Sequence, residues 1–291
     1  MKTALVLGGT RFFGVKLVQA LLSNGVKVTV ATRGNSTSSF QGQVESIQFD
    51  RNQLESFQSA FNGREWDVVF DQICYSSIDA MNAIQVFQGK TKKYIFTSTL
   101  SVYDLLDKEL VESDFDPYSY TIELKDKDEV TYQEGKRQAE AVFFQKAPFP
   151  VTAVRFPIVL GENDYTQRMT YYINKVIQEE VIYLRNLDAS MGFINEDEAG
   201  EFLYWIGSYD FQGPINTCTN GTVTLKEFIK YIEEATGKEA KVEISSDEDN
   251  QTPYSIPRSW TMSNQKAIDL GFEFQDIHQW LPHLIQTVLK K

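Results

Sequence analysis

Apolar positions in the first half of the chain follow two alternating rhythms. Short, nearly continuous apolar runs at Lys2–Leu7 (KTALVL), Val26–Ala31 (VKVTVA), Ser46–Phe49 (SIQF), Asp67–Phe70 (DVVF), Lys93–Thr97 (KYIFT) and Val151–Arg155 (VTAVR) read as six strands. Helical spacing fills the gaps. Val15, Val18, Leu21 and Leu22 form one stripe, ended by Asn24-Gly25, and similar patterns cover 52–62, 78–88 and 131–146. Strands that alternate with helices predict an α/β fold with a doubly wound parallel sheet, covered on both faces.

The rest of the chain is less regular. It predicts a helix over Met169–Glu180, a short strand at Phe193-Ile194, a helix over Ala199–Ile206 and a strand over Ile215–Cys218, just after Gly213-Pro214. Thr224–Ala235 reads as a clean helix, with Thr224 as cap and Glu227 three residues on, the spacing of a capping box. Residues 244–257 read as a polar loop. The expected organisation is a first domain over 1–160, completed by residues about 191–220. Residues 161–190 and 221–291 then form a smaller C-terminal lid.

Composition narrows the function classes. The 291 residues are 42% hydrophobic and 23% charged, which suits a folded globular protein. No apolar run approaches the ~18 residues of a membrane helix, and no membrane association is expected. The first strand-like run starts at Thr3, with no charged-then-apolar leader before it, so a cytoplasmic location is expected. Cys74 and Cys218 lack partner motifs, and the two histidines, His278 and His283, lie near the C-terminus. Neither a metal centre nor a histidine triad is expected. A net charge of −12 opposes general binding to phosphate backbones and argues against a nucleic-acid partner.

The first strand runs into Gly8-Gly9-Thr10-Arg11-Phe12-Phe13-Gly14, which opens the first helix. Glycines allow a tight turn and close approach of a ligand to the backbone. The helix start offers unpaired N–H groups and a positive dipole end, which suit a pyrophosphate. The spacing resembles the G-x-x-G-x-x-G turn of the extended short-chain dehydrogenase/reductase superfamily, usually GGTGFIG. That resemblance implies a Rossmann-type sheet and a nicotinamide dinucleotide. Arg11 stands where the usual form has its middle glycine; it either contacts the phosphates or points to solvent. The second strand ends in Thr32-Arg33-Gly34, without the acid that would accept from a free ribose 2′-OH. Arg33 would instead pair with a 2′-phosphate, which favours NADP(H) over NAD(H), unless it is an ordinary exposed loop residue. Asp50, after the third strand, matches the position that contacts adenine in the superfamily.

Tyr132 and Lys136 lie four apart on a predicted helix, hence on one face. An ammonium beside a phenol favours the phenolate, the base needed in hydride-transfer chemistry, and can also hold the nicotinamide ribose. The spacing alone is weak, for Tyr171 and Lys175 repeat it. Position decides for the first copy, which lies between the fifth and sixth strands and continues as K-x-x-x-E to Glu140, resembling the family's YGxSKxxxE. The second copy reads as a packing and surface pair. Thr97-Ser98-Thr99-Leu100-Ser101-Val102-Tyr103 resembles SSxxVYG, in which the catalytic hydroxyl falls on Thr99. Ser98 and Ser101 compete for that role.

Arg155–Gly161, Asp164–Arg168 and Phe193-Ile194 with Asp197 extend the resemblance into the lid. GGTRF with TRG is similar to atypical, epimerase-like members, among them the chloroplast stem-loop-binding proteins. The resemblance implies an NAD(P)-dependent epimerase or reductase, in which Thr99, Tyr132 and Lys136 act on a sugar nucleotide or a small carbonyl or hydroxyl compound. Two departures bear on the substrate. Ile158 stands where family epimerases often have Asn, and Leu100-Ser101 stand where 4,6-dehydratases have Asp-Glu, which disfavours dehydration. Tyr165, Arg168, Phe193 and Arg258 are candidate substrate contacts by position, Arg258 being equally readable as a surface residue. The helices at 78–88 and 131–146 suggest a homodimer face by resemblance. The rival reading is an NADP(H)-binding regulatory or RNA-associated protein with little or no turnover.

Overall fold

The computed structural model describes residues 1–34, 40, 42–247 and 252–291, so the polar loop expected at 244–257 lies partly outside the described residues. The chain divides into two compact units. The first comprises Met1–Tyr103, Glu112–Phe156 and Ala199–Thr217; the second comprises Asp104–Val111, Pro157–Glu198 and Cys218–Lys291.

The first unit is built on β1 (Thr3–Leu7), β2 (Lys27–Thr32), β3 (Glu45–Gln48), β4 (Trp66–Asp71), β5 (Thr91–Thr99) and β6 (Val151–Phe156). A seventh strand, Gly213–Asn216, pairs with β6. From that strand the order runs β6, β5, β4, β1, β2, β3, and every pairing is parallel. The expected Rossmann-type sheet is therefore present. Its central strands are covered on both faces, which is why β1 and β6 read as continuous apolar runs rather than alternating ones.

Helices α1 (Phe13–Ser23), α2 (Leu54–Ala60), α3 (Ser77–Phe87) and α4 (Tyr132–Lys146) connect these strands. Ser76 caps α3 by accepting from the Asp79 N–H, and Thr131 caps α4 by accepting from the Glu134 N–H. α2, α3 and α4 bury one face around an aromatic cluster of Phe57, Phe61, Phe87, Tyr94 and Phe143. On the opposite face, α1 meets the helix that runs on to Ser208. A Cβ on Gly200 would lie 2.5 Å from Lys16 Cβ and 2.7 Å from the Leu17 nitrogen, so only glycine permits this backbone contact.

Chain order turns back at β1 and β4. β1 leads outward to β2, whereas β4 leads the other way to β5. The carboxyl ends of β1 and β4 are level, with Leu7 paired to Asp71, and a crevice at such a reversal is where open α/β sheets take ligands.

The second unit holds α5 (Arg168–Ile177), the first turn of α6 (Glu196–Ser208), α7 (Leu225–Thr236), α8 (Gln265–Asp269) and α9 (Ile277–Leu289). Tyr172, Phe193, Phe228 and Tyr254 form its aromatic centre, with Tyr172 and Tyr254 stacked at 5.2 Å. The capping box forms as the sequence predicts: the Glu227 N–H donates to Thr224 Oγ1 (3.1 Å) and the Thr224 N–H to Glu227 (2.8 Å). Several elements lie outside the sequence pattern, among them a strand and the last helix. Lys241–Ile244 is a strand paired in parallel with Val181–Leu184. α9 forms despite Pro282 in its interior, which removes one backbone donor; the Asp276 carboxylate caps its start by accepting from the His278 N–H (2.8 Å). Among the described residues no helix is long and apolar enough to cross a membrane.

Candidate active site

The glycine turn leaves β1 at the point of strand reversal. Gly8 has φ +92°, and a Cβ there would lie 2.6 Å from Ile73 Cγ2. A Cβ on Gly9 would lie 2.7 Å from Val6 Cγ1, and one on Gly14 would collide with Gln72 Oε1 and lie 3.2 Å from the Gly8 carbonyl oxygen. The turn closes through Gly14 N–H to Arg11 C=O (3.0 Å) and Val15 N–H to Phe12 C=O (2.9 Å). Phe12, with φ 52°, provides no side-chain cap, and the first turn of α1 holds no acidic residue, so nothing on the helix neutralises its positive end. Thr10 is half-buried. Phe13 packs 5.6 Å from Phe156, and Arg11 is exposed, so its side chain does not fill the turn. A bare backbone cradle at an uncapped helix start fits an anionic phosphate group.

At the end of β2 the Arg33 side chain is exposed and makes no ion pair among the described residues, while its carbonyl accepts from Gln48 Nε2 (3.1 Å). Asp50 is half-buried and accepts from the Asn52 N–H (3.0 Å) in a local turn. The next residue, which the sequence reading does not single out, is more deeply engaged. Arg51 is buried and grips Asp71 with two bonds of 2.7 and 2.6 Å; its Nε lies 3.3 Å from Asp79 Oδ1. Asp71 also accepts from the Tyr94 hydroxyl (2.5 Å) and the Ile73 N–H (3.0 Å), and Asp79 accepts from the Tyr75 N–H (2.8 Å). This network fixes the turn between β4 and α3. Burial pushes the Asp79 carboxyl up, against the pull of Arg51, and pushes the Cys74 thiol up as well. The sequence signal for the network is an acid closing an apolar strand, DVVFD, with an arginine just after the strand that precedes it in the chain.

The same turn holds Lys136. The residue is 2% exposed, and its ammonium donates to the carbonyls of Cys74 and Thr97, both at 2.8 Å. It lies 4.6 Å from the centre of the Tyr75 ring, 4.8 Å from Phe96 and 5.9 Å from Tyr132. Gly135 makes this approach feasible, because a Cβ there would collide with the Tyr75 carbonyl. Tyr132, the first residue of α4, is 54% exposed. Gln133 Nε2 bonds the Tyr103 carbonyl (2.9 Å) and Arg137 Nε the Val102 carbonyl (2.7 Å), tying the start of α4 to the segment after β5.

The three hydroxyl candidates separate by partner. Ser98 is buried and donates to Glu140 (2.5 Å). Thr99 is half-buried; its oxygen accepts from the Ser101 N–H (3.1 Å), which leaves its proton available. Ser101 is half-buried beyond it. Glu140, the last position of the K-x-x-x-E run, forms a fully buried pair with Arg155 at 3.0 and 2.6 Å. Arg155 further donates to the Tyr103 hydroxyl and to the carbonyls of Glu112 and Phe115, so all five of its N–H groups have acceptors. Glu140 thus holds α4 to β6.

The four candidates in the second unit do not converge. Tyr165 and Arg168 are exposed around the start of α5. Phe193 is 1% exposed and packs among Phe228 and Tyr254, so its ring serves the core. Arg258 pairs with Asp107 at 3.0 Å. In the second Tyr-x-x-x-Lys copy, Lys175 pairs with Glu180 (2.5 Å) and lies 5.7 Å from the Tyr171 ring. Among the described residues no cluster of His, Cys, Asp and Glu could hold a metal ion.

Residues 4–216 match the family model described as the NAD dependent epimerase/dehydratase family. A curated relative, the chloroplast stem-loop binding protein of 41 kDa b from Arabidopsis thaliana, is 24% identical over 188 residues, which is 60% of this chain. The chain spans about half, 47%, of that relative's length. Among solved structures, the UDP-glucose 4-epimerase of Thermus thermophilus in complex with NAD superposes with a TM-score of 0.74 at 16% identity, over 99% of both chains. The dTDP-glucose 4,6-dehydratase of Bacillus anthracis in complex with NAD superposes with a TM-score of 0.78 at 14% identity, over 100% of this chain and 97% of the other. At such identities the likeness speaks for the fold.

Proposed function

The chain belongs to the NAD dependent epimerase/dehydratase family, and we propose that it is a nicotinamide-dinucleotide-dependent epimerase or reductase of the short-chain dehydrogenase/reductase superfamily. The first unit binds the dinucleotide: Gly8, Gly9 and Gly14, with the N–H groups that open α1, receive the pyrophosphate, and Asp50 lies at the adenine end. When bound, the dinucleotide supplies the hydride acceptor or donor. Tyr132 takes the proton of a substrate hydroxyl, or returns it to a carbonyl oxygen on reduction. Lys136 places a buried positive charge beside the phenol, which stabilises the anion while the proton is in transit. Cys74 and Thr97 take two of its three N–H groups, and the third would hold the nicotinamide ribose. Thr99 donates to the reacting oxygen while its own oxygen remains engaged with the Ser101 N–H.

One observation carries this reading: a buried ammonium, fixed by two carbonyls at the sheet's carboxyl edge, faces the ring of a half-exposed tyrosine one helical turn away. NADP(H) is favoured because Arg33 is exposed where an acid would select NAD(H). A sugar nucleotide or a small carbonyl or hydroxyl compound is the substrate class. The two solved structures compared above, named for UDP-glucose and dTDP-glucose enzymes, support the sugar-nucleotide option. Ile158 argues against family-type contact with a substrate diphosphate, and Leu100-Ser101 after Thr99 argue against dehydration. The test is turnover of a sugar-nucleotide and carbonyl panel by the wild type and by Tyr132→Phe. Loss of a proton-transfer group lowers turnover by about 10²–10⁴-fold, and Tyr132→Phe is expected to do so with dinucleotide affinity unchanged. Equal turnover by the variant overturns the reading.

The second reading, a dinucleotide-binding protein associated with RNA, draws on the Arabidopsis relative's name. The net charge of −12 opposes it. Specific RNA binding by the wild type, without turnover of any substrate, would favour it.

A further inference from the structure

The buried ammonium of Lys136 makes no ion pair among the described residues; backbone carbonyls take two of its N–H groups. The carboxylates that flank this turn, Asp71 and Asp79, are both engaged by Arg51. An ammonium withdrawn from water is costly unless something replaces its hydration. Here ring faces do so. The nitrogen lies over the rings of Tyr75, Phe96 and Tyr132, at 4.6, 4.8 and 5.9 Å from their centres. An aromatic face carries a negative potential but no net charge, so it attracts a cation without neutralising it. A carboxylate in the same place would cancel much of the field that the Tyr132 phenol needs. Of the three rings, Tyr75 is the nearest to the ammonium. Phe96 is buried in β5, and Tyr132 carries the proton. Tyr75 is 38% exposed, and its ring centre lies 6.4 Å from that of Tyr132. Its backbone is placed from both sides: the N–H donates to Asp79 (2.8 Å), and Gly135 leaves room for the carbonyl against α4.

We propose that Tyr75 is a positioning residue for the reaction, the face of its ring holding the Lys136 ammonium beside the Tyr132 phenol; this rests on the proton-transfer role of Tyr132. The role belongs to the ring face and not to the hydroxyl. Phenylalanine can therefore take the place of Tyr75, whereas leucine, apolar but without a ring, cannot.

The test uses the full chain as wild type, Tyr75→Leu, Tyr75→Phe and Tyr132→Phe, with two readouts. The first needs no substrate. In protein carrying isotope-labelled lysine, the Lys136 signal is identified as the one lost in Lys136→Met. Ring currents move its ε-methylene protons upfield of those of exposed lysines. Tyr75→Leu is expected to reduce that displacement and Tyr75→Phe to restore it, with melting temperatures close to that of the wild type. The second readout is steady-state kinetics on the substrate found in the sugar-nucleotide and carbonyl panel. Loss of a desolvated cation–ring contact corresponds to about a 3–30-fold fall in kcat. Tyr75→Leu is expected to show that fall at unchanged KM, and Tyr75→Phe to rescue it. An unmoved Lys136 signal in Tyr75→Leu overturns the proposal. So does a kcat in Tyr75→Phe as low as in Tyr75→Leu, which would assign the role to the hydroxyl. A purely packing role predicts a lower melting temperature with kcat per folded molecule unchanged, and that result also overturns it. Turnover lost in Tyr132→Phe but untouched in Tyr75→Leu refutes the role of Tyr75 alone. Turnover by Tyr132→Phe at the wild-type rate, or none by the wild type, refutes the reaction itself, and the proposal with it.

Discussion

Replacing Glu140 with glutamine preserves the shape of the side chain and removes its charge at a site where both partners are 0% exposed. In the native chain Glu140 Oε1 accepts from Ser98 and from Arg155 Nε, and Oε2 accepts from Arg155 Nη2. In the variant the amide N–H₂ faces a guanidinium N–H in either orientation, so at least one buried donor meets another donor. The Arg155 charge also stays buried without a counter-charge. Breaking a buried ion pair by removing one partner costs about 3–5 kcal/mol. That is a large part of the ~5–15 kcal/mol by which a typical protein is stable. Equilibrium unfolding in urea, followed by circular dichroism, measures the loss. The double variant Glu140→Met with Arg155→Met is the control, because an apolar pair of similar volume leaves no orphaned charge and is expected to recover most of the loss. A Glu140→Gln loss below about 1 kcal/mol, or a double variant as unstable as the single one, would refute the reasoning.

Arg51→Met strands Asp71 and Asp79 in the interior and is expected to cost a similar ~3–5 kcal/mol, seen as an earlier urea midpoint. Gly135→Ala pushes α4 off the Tyr75 carbonyl; it is expected to cost about 1–3 kcal/mol and to lower kcat by displacing Lys136, read by unfolding and by steady-state kinetics. Asp67 accepts from Lys92 Nζ (2.8 Å) and from the N–H groups of Lys2 (2.7 Å) and Thr3 (3.1 Å), which hold its carboxyl well below the usual range. A depressed folded-state value means the unfolded chain takes up the proton first as pH falls. The stabilisation is therefore complete above about pH 4 and is lost progressively below it. Asp67→Asn is accordingly expected to lower the melting temperature at pH 7, with the gap to the wild type narrowing as pH falls through that range. A gap that is the same at pH 7 and pH 3 would contradict this.

The features legible in the sequence are those the backbone imposes. Parallel strands covered on both faces must be apolar throughout, so the runs at KTALVL and VTAVR located β1 and β6 to within a residue or two. The glycine turn was legible because each of its three glycines stands where a Cβ has no room. The buried charges were not. Arg51 and Glu140 sit in polar stretches that look solvated, and only three-dimensional pairing with Asp71 and Arg155 shows them to be interior. Among the hydroxyls of Thr97–Ser101, sequence order could not reveal that Ser98 is held inward by Glu140 while the Thr99 proton stays available. In the second unit, an apolar residue such as Phe193 could be recognised, but not the direction of its ring. Lys241–Ile244 was hidden because its strand is largely exposed and its partner, Val181–Leu184, lies far away in sequence.

The account depends on a dinucleotide's phosphates meeting the start of α1. Fluorescence titration with NADPH and NADH, on the wild type and on Gly14→Val, addresses this directly. The account predicts saturable binding by the wild type, and its loss in a Gly14→Val protein that still folds, because the added side chain collides with Gln72 and crowds the Gly8 carbonyl at the cradle. Absence of binding by the wild type, or undiminished binding by a folded Gly14→Val, would contradict it.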